Sequence, residues 1–263
     1  MKFKPGSLSL TFALLGGLAL LFIVAPLFSL MLSRSAVDLF EAASDKAITQ
    51  SILLSLSIAF VTTLVAGIFA VPLAWFLARK HFALKGLVSG IIDLPVMIPH
   101  SAAGIAVLGI VNRDSLVGSI SSGLGLSFVD RPAGIALAMA FVSIPFLINA
   151  ARDGFEAVPL KLEKAAQILG AGSWRVFFTI SLPLAWRPIL SGFVMMFARG
   201  MSEFGAVVII AYHPLTAPVL IYDRFNAFGL KAAQEVAVLF ILISLIVFVA
   251  LRLIGKNTHH VRS

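Results

Sequence analysis

Long apolar runs alternate with short polar segments along this chain. Six runs are long enough, at 1.5 Å of helical rise per residue, to cross the ~30 Å hydrocarbon core of a bilayer. They predict transmembrane helices over about Leu8–Leu32, Ser51–Ala78, Leu87–Val111, Pro132–Ala150, Pro188–Ala211 and Glu235–Ile254. The pattern therefore predicts an all-α polytopic membrane protein with six transmembrane helices, forming a single domain over residues 1–263.

The polar segment 151–187 contains a short amphipathic helix. Apolar residues recur on one face at helical spacing: Leu162, Ala165, Ala166 and Leu169. Pro159 and Gly170 suit the start and the end of this helix, and Pro183 and Pro188 predict a break before the next run. The two alanines would allow a partner's groove to approach closely. We interpret the segment as a helix that docks into a partner; an ordinary surface helix between two spans is the alternative.

Composition supports the membrane assignment. Hydrophobic residues make up 60% of the chain and charged residues only 12%, against about a quarter in soluble domains. The first run exceeds the ~7–15 residues of a signal-peptide core, so we interpret it as a retained span. The composition and the apolar runs together predict a multi-pass protein of the cell membrane that contacts lipid.

The distribution of basic residues predicts orientation. If the N-terminus lies inside, thirteen of the twenty Lys and Arg residues fall on the inner side and six on the outer side. This bias places both termini and the helix at Leu160–Gly170 in the cytoplasm. The net charge of +8 is thereby explained as a topology signal, so nucleic acid is not predicted as a partner.

Two ionisable residues interrupt the fifth run. Arg199 and Glu203 stand four residues apart, which predicts that they share one helical face. Charges within a span are costly and usually face a bundle interior or a watery cavity. The pair therefore either lines or gates a translocation pathway together with Ser202, or forms a structural contact that lets the helix pack against a symmetry mate. Small residues here, including Gly205, favour close helix contact in both cases.

The third run contains a second candidate for the pathway. Pro95 and Pro99 predict irregular backbone, which at membrane depth is tolerated where it lines a cavity or is buried in protein. His100 and Ser101 follow directly and can face that cavity. His100 can donate a hydrogen bond to an oxyanion, or it can bond to a neighbouring carbonyl group.

Other chemistry is not indicated. The chain has no cysteine, no Gly-x-x-x-x-Gly-Lys-Ser/Thr loop and no His-Glu-x-x-His motif. We therefore expect a non-catalytic chain that binds no cofactor or metal. The adjacent His259 and His260 near the C-terminus could bind a metal, but two histidines without further ligands are most often part of a solvated tail.

The spacing within the polar segment resembles a known motif. Ala165-Ala166, three residues, Gly170, nine residues, Ile180, one residue and Leu182-Pro183 follow the "EAA" loop of ABC-importer permeases. That loop couples the membrane subunit to its ATPase. Lys164 stands at the glutamate position, and Glu163, one residue earlier, can make the charged contact instead.

Further segments resemble the molybdate/tungstate branch of these permeases, which is close to the sulfate branch. They are Leu94–Ala106, Ser202–Ala206, Ile221–Phe225 and Gly229–Ala233. The resemblance implies a type I ABC importer permease fold and a homodimer with a central pathway. It also implies two ATPase subunits that hold ATP and Mg²⁺, and an extracytoplasmic oxyanion-binding protein. Alternatives are a permease for sulfate or another small solute, and an ATPase-independent secondary carrier.

Overall fold

A computed structural model describes residues 7–256, with side chains described for residues 8–253. Within this range the chain is helical and contains no strand. The helices are α1 (Ser7–Leu32), α2 (Ala36–Ser44), α3 (Lys46–Arg79), α4 (Lys85–Met97), α5 (His100–Val111), α6 (Leu116–Gly123), α7 (Pro132–Glu156), α8 (Leu160–Ile168), α9 (Ser173–Val176), α10 (Leu182–Met201), α11 (Gly205–Ile210), α12 (Ala217–Phe228) and α13 (Leu230–Lys256). A π-helical turn, Phe177–Ser181, joins α9 to α10.

Five helical segments of the described chain are long and apolar enough to span a membrane. They are Leu8–Leu32, Lys46–Arg79, Pro132–Glu156, Ser173–Met201 and Leu230–Leu253. A sixth span exists if α4 and α5, which meet at a bend of 113°, are counted as one. The prediction of a polytopic helical membrane protein is confirmed, while the bounds of several spans differ from those expected.

The third apolar run, predicted as a span over Leu87–Val111 with irregular backbone at its prolines, consists of two helices separated by a break. Ile98 and Pro99 are extended, with ψ angles of 152° and 135°, and they separate α4 from α5. The cause is local: Pro99 lacks an N–H group, and its ring disfavours helical geometry at the preceding residue. The predicted irregular backbone is thus present here, whereas Pro95 stays inside α4.

The fifth run differs at both ends from the predicted Pro188–Ala211. The helix begins at Ser173 and continues through the π turn to Met201, so Pro183 and Pro188 do not break it. Pro183 directly follows the π turn, where the helical hydrogen bonds change from a spacing of five residues to four. At the other end, the chain leaves the helix after Met201 and re-enters it in α11.

Helices α3, α7 and α10 pack side by side and form the core, which we call the frame. One cluster of buried residues joins the first half of α3 to α5, α7, α11, α12 and α13. A second cluster joins the last half of α3 to the ends of α7 and α10 nearest α8, and includes Leu77, Phe155 and Ile189. Two helices are discontinuous: α4 with α5, and α10 with α11. They meet at the frame, because α5 packs on α11 and on α7.

Helix α1 lies outside the frame and touches α13. Its large apolar side chains are exposed, with Phe22 at 81%. A helix that is apolar all round must be covered by lipid or by protein. In a membrane protein, α1 therefore meets lipid or a second chain.

Candidate functional site

Helix α8 and the start of α9 project an apolar patch from the frame. We call this patch the α8 surface; its most exposed members are Ile168 (85%), Leu169 (87%) and Trp174 (78%). Leu162 and Ala165 are exposed beside them, as the helical periodicity predicted. Ala166, by contrast, is half-buried. Contiguous exposed apolar residues mark interaction sites, so the α8 surface is suited to a protein partner.

The sharp end of α8 keeps this patch outermost. Gly170 has a φ angle of +88°, a conformation that costs a residue with a side chain roughly 1–2 kcal/mol. Its amide donates to Gln167 O at 3.0 Å, and the amide of Ala171 donates to Ala166 O at 2.9 Å. These bonds satisfy the last carbonyl groups of the helix. An added Cβ at Gly170 would meet no atom within 4 Å. Glycine is therefore required here by its positive φ angle and not by close packing.

A buried ion pair fastens α8 to the frame. The Arg79 guanidinium donates to the Glu163 carboxylate through Nε at 3.0 Å and through Nη2 at 2.7 Å. Ser181 Oγ donates to the same carboxylate at 2.7 Å, and the side chains of Arg79 and Glu163 are only 6% and 8% exposed. We call these three residues the inner latch. It joins the end of α3, the middle of α8 and the π turn.

The inner latch occupies a residue for which the sequence left another contact open. From the sequence alone, Glu163 can stand in for the missing motif glutamate in a contact with an ATPase. In this chain its carboxylate faces inward and accepts hydrogen bonds from Arg79 and Ser181. Lys164 is the exposed charge at this position of the loop. No sequence signal connects Glu163 with Arg79, which lies 84 residues away.

The remaining motif residues join the loop to the core. Ile180 and Leu182 are half-buried, and Leu182 packs against the second core cluster. Pro183 is exposed at the start of α10. The motif thus spans a continuous path from the exposed end of α8 to the frame.

A second site lies where the two discontinuous helices meet. The Glu203 carboxylate accepts from Arg199 Nη2 at 2.8 Å and lies 3.0 Å from His100 Nδ1. Its other oxygen accepts the Ala206 amide at 2.8 Å. We call His100, Arg199 and Glu203 the membrane triad. Glu203 is 2% exposed, and such a buried carboxylate is tolerated because each of its oxygens is paired.

The membrane triad depends on close backbone approach. A Cβ on Gly205 would lie 2.6 Å from His100 Cβ, and one on Gly104 would lie 2.9 Å from the backbone of Ala206. Only glycine fits at these two positions. The small residues were expected to favour close helix contact, and this contact is between α5 and α11 of one chain.

The structure brings some predicted pathway residues together and separates others. Arg199 and Glu203 do meet, but not on one helical face, because α10 ends at Met201. His100 joins them and bonds to neither of its neighbouring carbonyl groups in the described contacts. Ser202 and Ser101 are exposed next to the triad, as is Pro99, whereas Pro95 is buried within α4.

The charge of the triad is nearly balanced. Glu203 offsets Arg199, and the His100 side chain stays 40% exposed at the first turn of α5. The first amide groups of a helix have no acceptor within it, so hydrogen-bond donors collect beside His100. The arrangement can offer donors to an anion without a dense cluster of uncompensated charge.

Metal ligands are not grouped in residues 7–256: no three His, Asp or Glu side chains lie close enough to hold a metal ion. His259 and His260 lie outside the described residues.

Long apolar helices, two of them interrupted at a buried ionic cluster, together with a projecting apolar surface suited to a protein partner, are features expected of a membrane permease. Residues 70–260 match the family model described as "Binding-protein-dependent transport system inner membrane component", and the chain belongs to this family. Its fold is that of a type I ABC importer permease.

Two relatives and one solved structure place the chain within the family. It is 43% identical over 249 residues to the molybdate/tungstate transport system permease protein WtpB of Thermococcus kodakarensis, covering 94% of this chain and 96% of the relative. A probable sulfate transport system permease protein cysT of Mesostigma viride is 32% identical, with coverages of 90% and 91%. A bacterial ABC transporter that imports alginate superposes with a TM-score of 0.74 at 15% identity, covering 95% of this chain and 96% of that one.

Proposed function

We propose that this chain is the membrane-spanning subunit of an ABC importer that carries molybdate or tungstate into the cytoplasm. The observation that carries the proposal is the 43% identity to a molybdate/tungstate permease over nearly the whole of both chains. Two copies of the chain form a central pathway. ATP and Mg²⁺ are held by two separate ATPase subunits, and an extracytoplasmic binding protein delivers the anion.

ATP-driven motion enters through the α8 surface. Each ATPase subunit receives the exposed end of α8, whose apolar residues Ile168 and Leu169 seat in a groove. The inner latch fixes α8 to α3 and to the π turn that leads into α10, so that displacement of α8 moves both helices together. Closing of the ATPase pair thereby opens the pathway outward. Both termini and α8 lie in the cytoplasm in this arrangement.

The membrane triad contacts the anion weakly during its passage and does not bind it tightly. His100 and the first turn of α5 offer donors to a passing tetrahedral oxyanion. Glu203 cancels most of the positive charge of Arg199, which keeps binding weak enough for release. Capture from dilute solution is then the task of the binding protein.

Sulfate is the second candidate substrate. It is supported by the 32% identity to a sulfate permease over 90% of the chain. Sulfate has the same tetrahedral shape and charge as molybdate, so the triad alone does not separate the two.

Uptake into proteoliposomes tests the proposal. The permease is reconstituted with its ATPase and with binding protein loaded with radiolabelled tungstate. We expect ATP-dependent accumulation of labelled tungstate. An excess of molybdate should abolish this accumulation, and an equal excess of sulfate should leave it nearly unchanged. Competition by sulfate as strong as by molybdate would reassign the substrate, and accumulation without the ATPase would refute the importer mechanism.

A further inference from the structure

The exposed charge around the α8 surface has one sign. Residues 157–202 contain a single acidic residue, Glu163, and the inner latch buries its carboxylate. Lys161 and Lys164 on α8 and Arg175 on α9 are exposed in the same stretch. No acidic side chain of the described residues pairs with either lysine. The outward face of this segment is therefore basic as well as apolar.

Helical spacing puts the two lysines in line with the apolar end of the patch. Lys161, Lys164 and Ile168 follow one another at intervals of three and four residues, so they are neighbours on one face of α8. The lysines occupy the start of that face, and Ile168, which is 85% exposed, occupies its end. A partner that covers Ile168 therefore also borders Lys164.

The lysines do not stabilise α8 itself. Lys161 lies in the first turn, where the partial positive charge of the helix N-terminus disfavours a cation. Lys161 and Lys164 also repel each other, because residues three apart on a helix are neighbours. This local cost indicates that the two charges serve a contact outside the chain.

We infer that the ATPase groove that receives α8 carries acidic side chains at its rim, opposite Lys161 and Lys164. The inference rests on the function proposed above and adds the charge of the partner's surface. Opposite charges across an interface speed the encounter and disfavour partners of like charge. The motif that the loop resembles has glutamate where Lys164 stands, so this contact has the reverse sign. The inner latch fits the same arrangement, because it withdraws Glu163, the one acid that would repel such a rim.

Anionic lipid headgroups are the other surface that suits a basic, apolar helix. Two observations favour the ATPase. The motif spacing, which runs from Ala165 through Gly170 to Pro183, is that of a segment that couples to an ATPase. The inner latch also ties α8 to α3 and to the π turn, so the helix is held by the frame and is not free to settle into the bilayer surface.

The kinetics of ATPase binding to the permease in phosphatidylcholine nanodiscs test the inference. Lys161→Gln/Lys164→Gln should slow association about tenfold at low ionic strength, since each exposed ion pair contributes roughly a factor of three. The effect should fade at high salt, which screens exposed charges. Ile168→Ala should instead speed dissociation. The control Lys46→Gln/Lys231→Gln removes the same charge at the other end of α3 and at the start of α13, and should change neither rate.

Lys164→Glu, which restores the motif glutamate, distinguishes an acidic rim from a basic one. We expect it to slow association more than Lys164→Gln does. Tighter binding by Lys164→Glu, or association of the double glutamine variant at the wild-type rate, would overturn the inference and leave the ATPase as the partner. An effect of the lysines that appears only in nanodiscs containing phosphatidylglycerol would assign them to lipid and also overturn it. Failure of the unaltered chain to bind the ATPase would refute the proposed function, and this inference with it.

Discussion

Breaking the inner latch should destabilise the protein more than any exposed ion pair of comparable size. Replacing Arg79 with Met leaves the Glu163 carboxylate buried without its cation, and replacing Glu163 with Leu leaves the guanidinium buried instead. Because both side chains are less than a tenth exposed, each single change should cost about 3–5 kcal/mol of unfolding free energy. The double variant Arg79→Met/Glu163→Leu removes both charges and should cost less than either single variant.

The measurement is the unfolding free energy in detergent for the wild type, both single variants and the double variant. Lys85→Met is the control, because Lys85 pairs with Glu156 at 3.7 Å and both side chains are partly exposed. It should cost about 0–1 kcal/mol. The reasoning is refuted if Arg79→Met costs no more than Lys85→Met, or if the cost of the double variant equals the sum of the singles.

Three further predictions concern backbone and charge. Gly104→Val should destabilise the packing of α5 on α11 by about 1–3 kcal/mol, because even a Cβ would lie 2.9 Å from the facing backbone. Gly90→Val is the matched control, because an added Cβ there would meet no atom within 4 Å. Gly170→Val should cost about 1–2 kcal/mol from its positive φ and lower the uptake obtained per ATP hydrolysed, measured in proteoliposomes. The hydrogen bond from Arg224, at 2.7 Å, holds the pKa of Asp45 below its ordinary value, so thermal stability should fall on acidification below about pH 4, and by less in Arg224→Gln.

Each of these has an outcome that would contradict it. Equal stability of the Gly104 and Gly90 variants would mean that α5 and α11 are not in close contact. Full coupling in the Gly170 variant would separate the end of α8 from force transmission. The pH prediction follows from a depressed folded-state pKa, whose stabilisation exists above the unfolded value and is lost as pH falls. An acid loss as large in Arg224→Gln as in the wild type would contradict it.

The long helices could be predicted from the sequence because a bilayer demands an uninterrupted apolar run. The exposed face of α8 followed from helical spacing in the same way. The break at Pro99 carries its own signal, since proline constrains the residue before it. The break after Met201 has no comparable signal. There Glu203 accepts the Ala206 amide at the start of α11, and its other oxygen is paired with His100 of α5, a contact that no local sequence pattern announces.

Contacts between distant segments could not be predicted. The inner latch joins residues 84 positions apart, and a glutamate within a polar loop is ordinarily solvated. His100 reaches Glu203 only because Gly205 allows the two backbones to approach. Continuity through Pro183 was also hidden, because the π turn before it changes the spacing of the hydrogen bonds. In each case tertiary packing decides what local sequence leaves open.

Cross-linking from the α8 surface tests most directly whether this is where the ATPase acts. The chain has no native cysteine, so a single one can be placed at Ile168, which is 85% exposed, with Phe228, 72% exposed on α12, as the control position. In membranes containing the assembled transporter, we predict that Ile168→Cys cross-links to the ATPase subunit and that Phe228→Cys does not. Absence of the cross-link at position 168 in transporter that still imports anion, or a cross-link to the ATPase at position 228, would contradict the account.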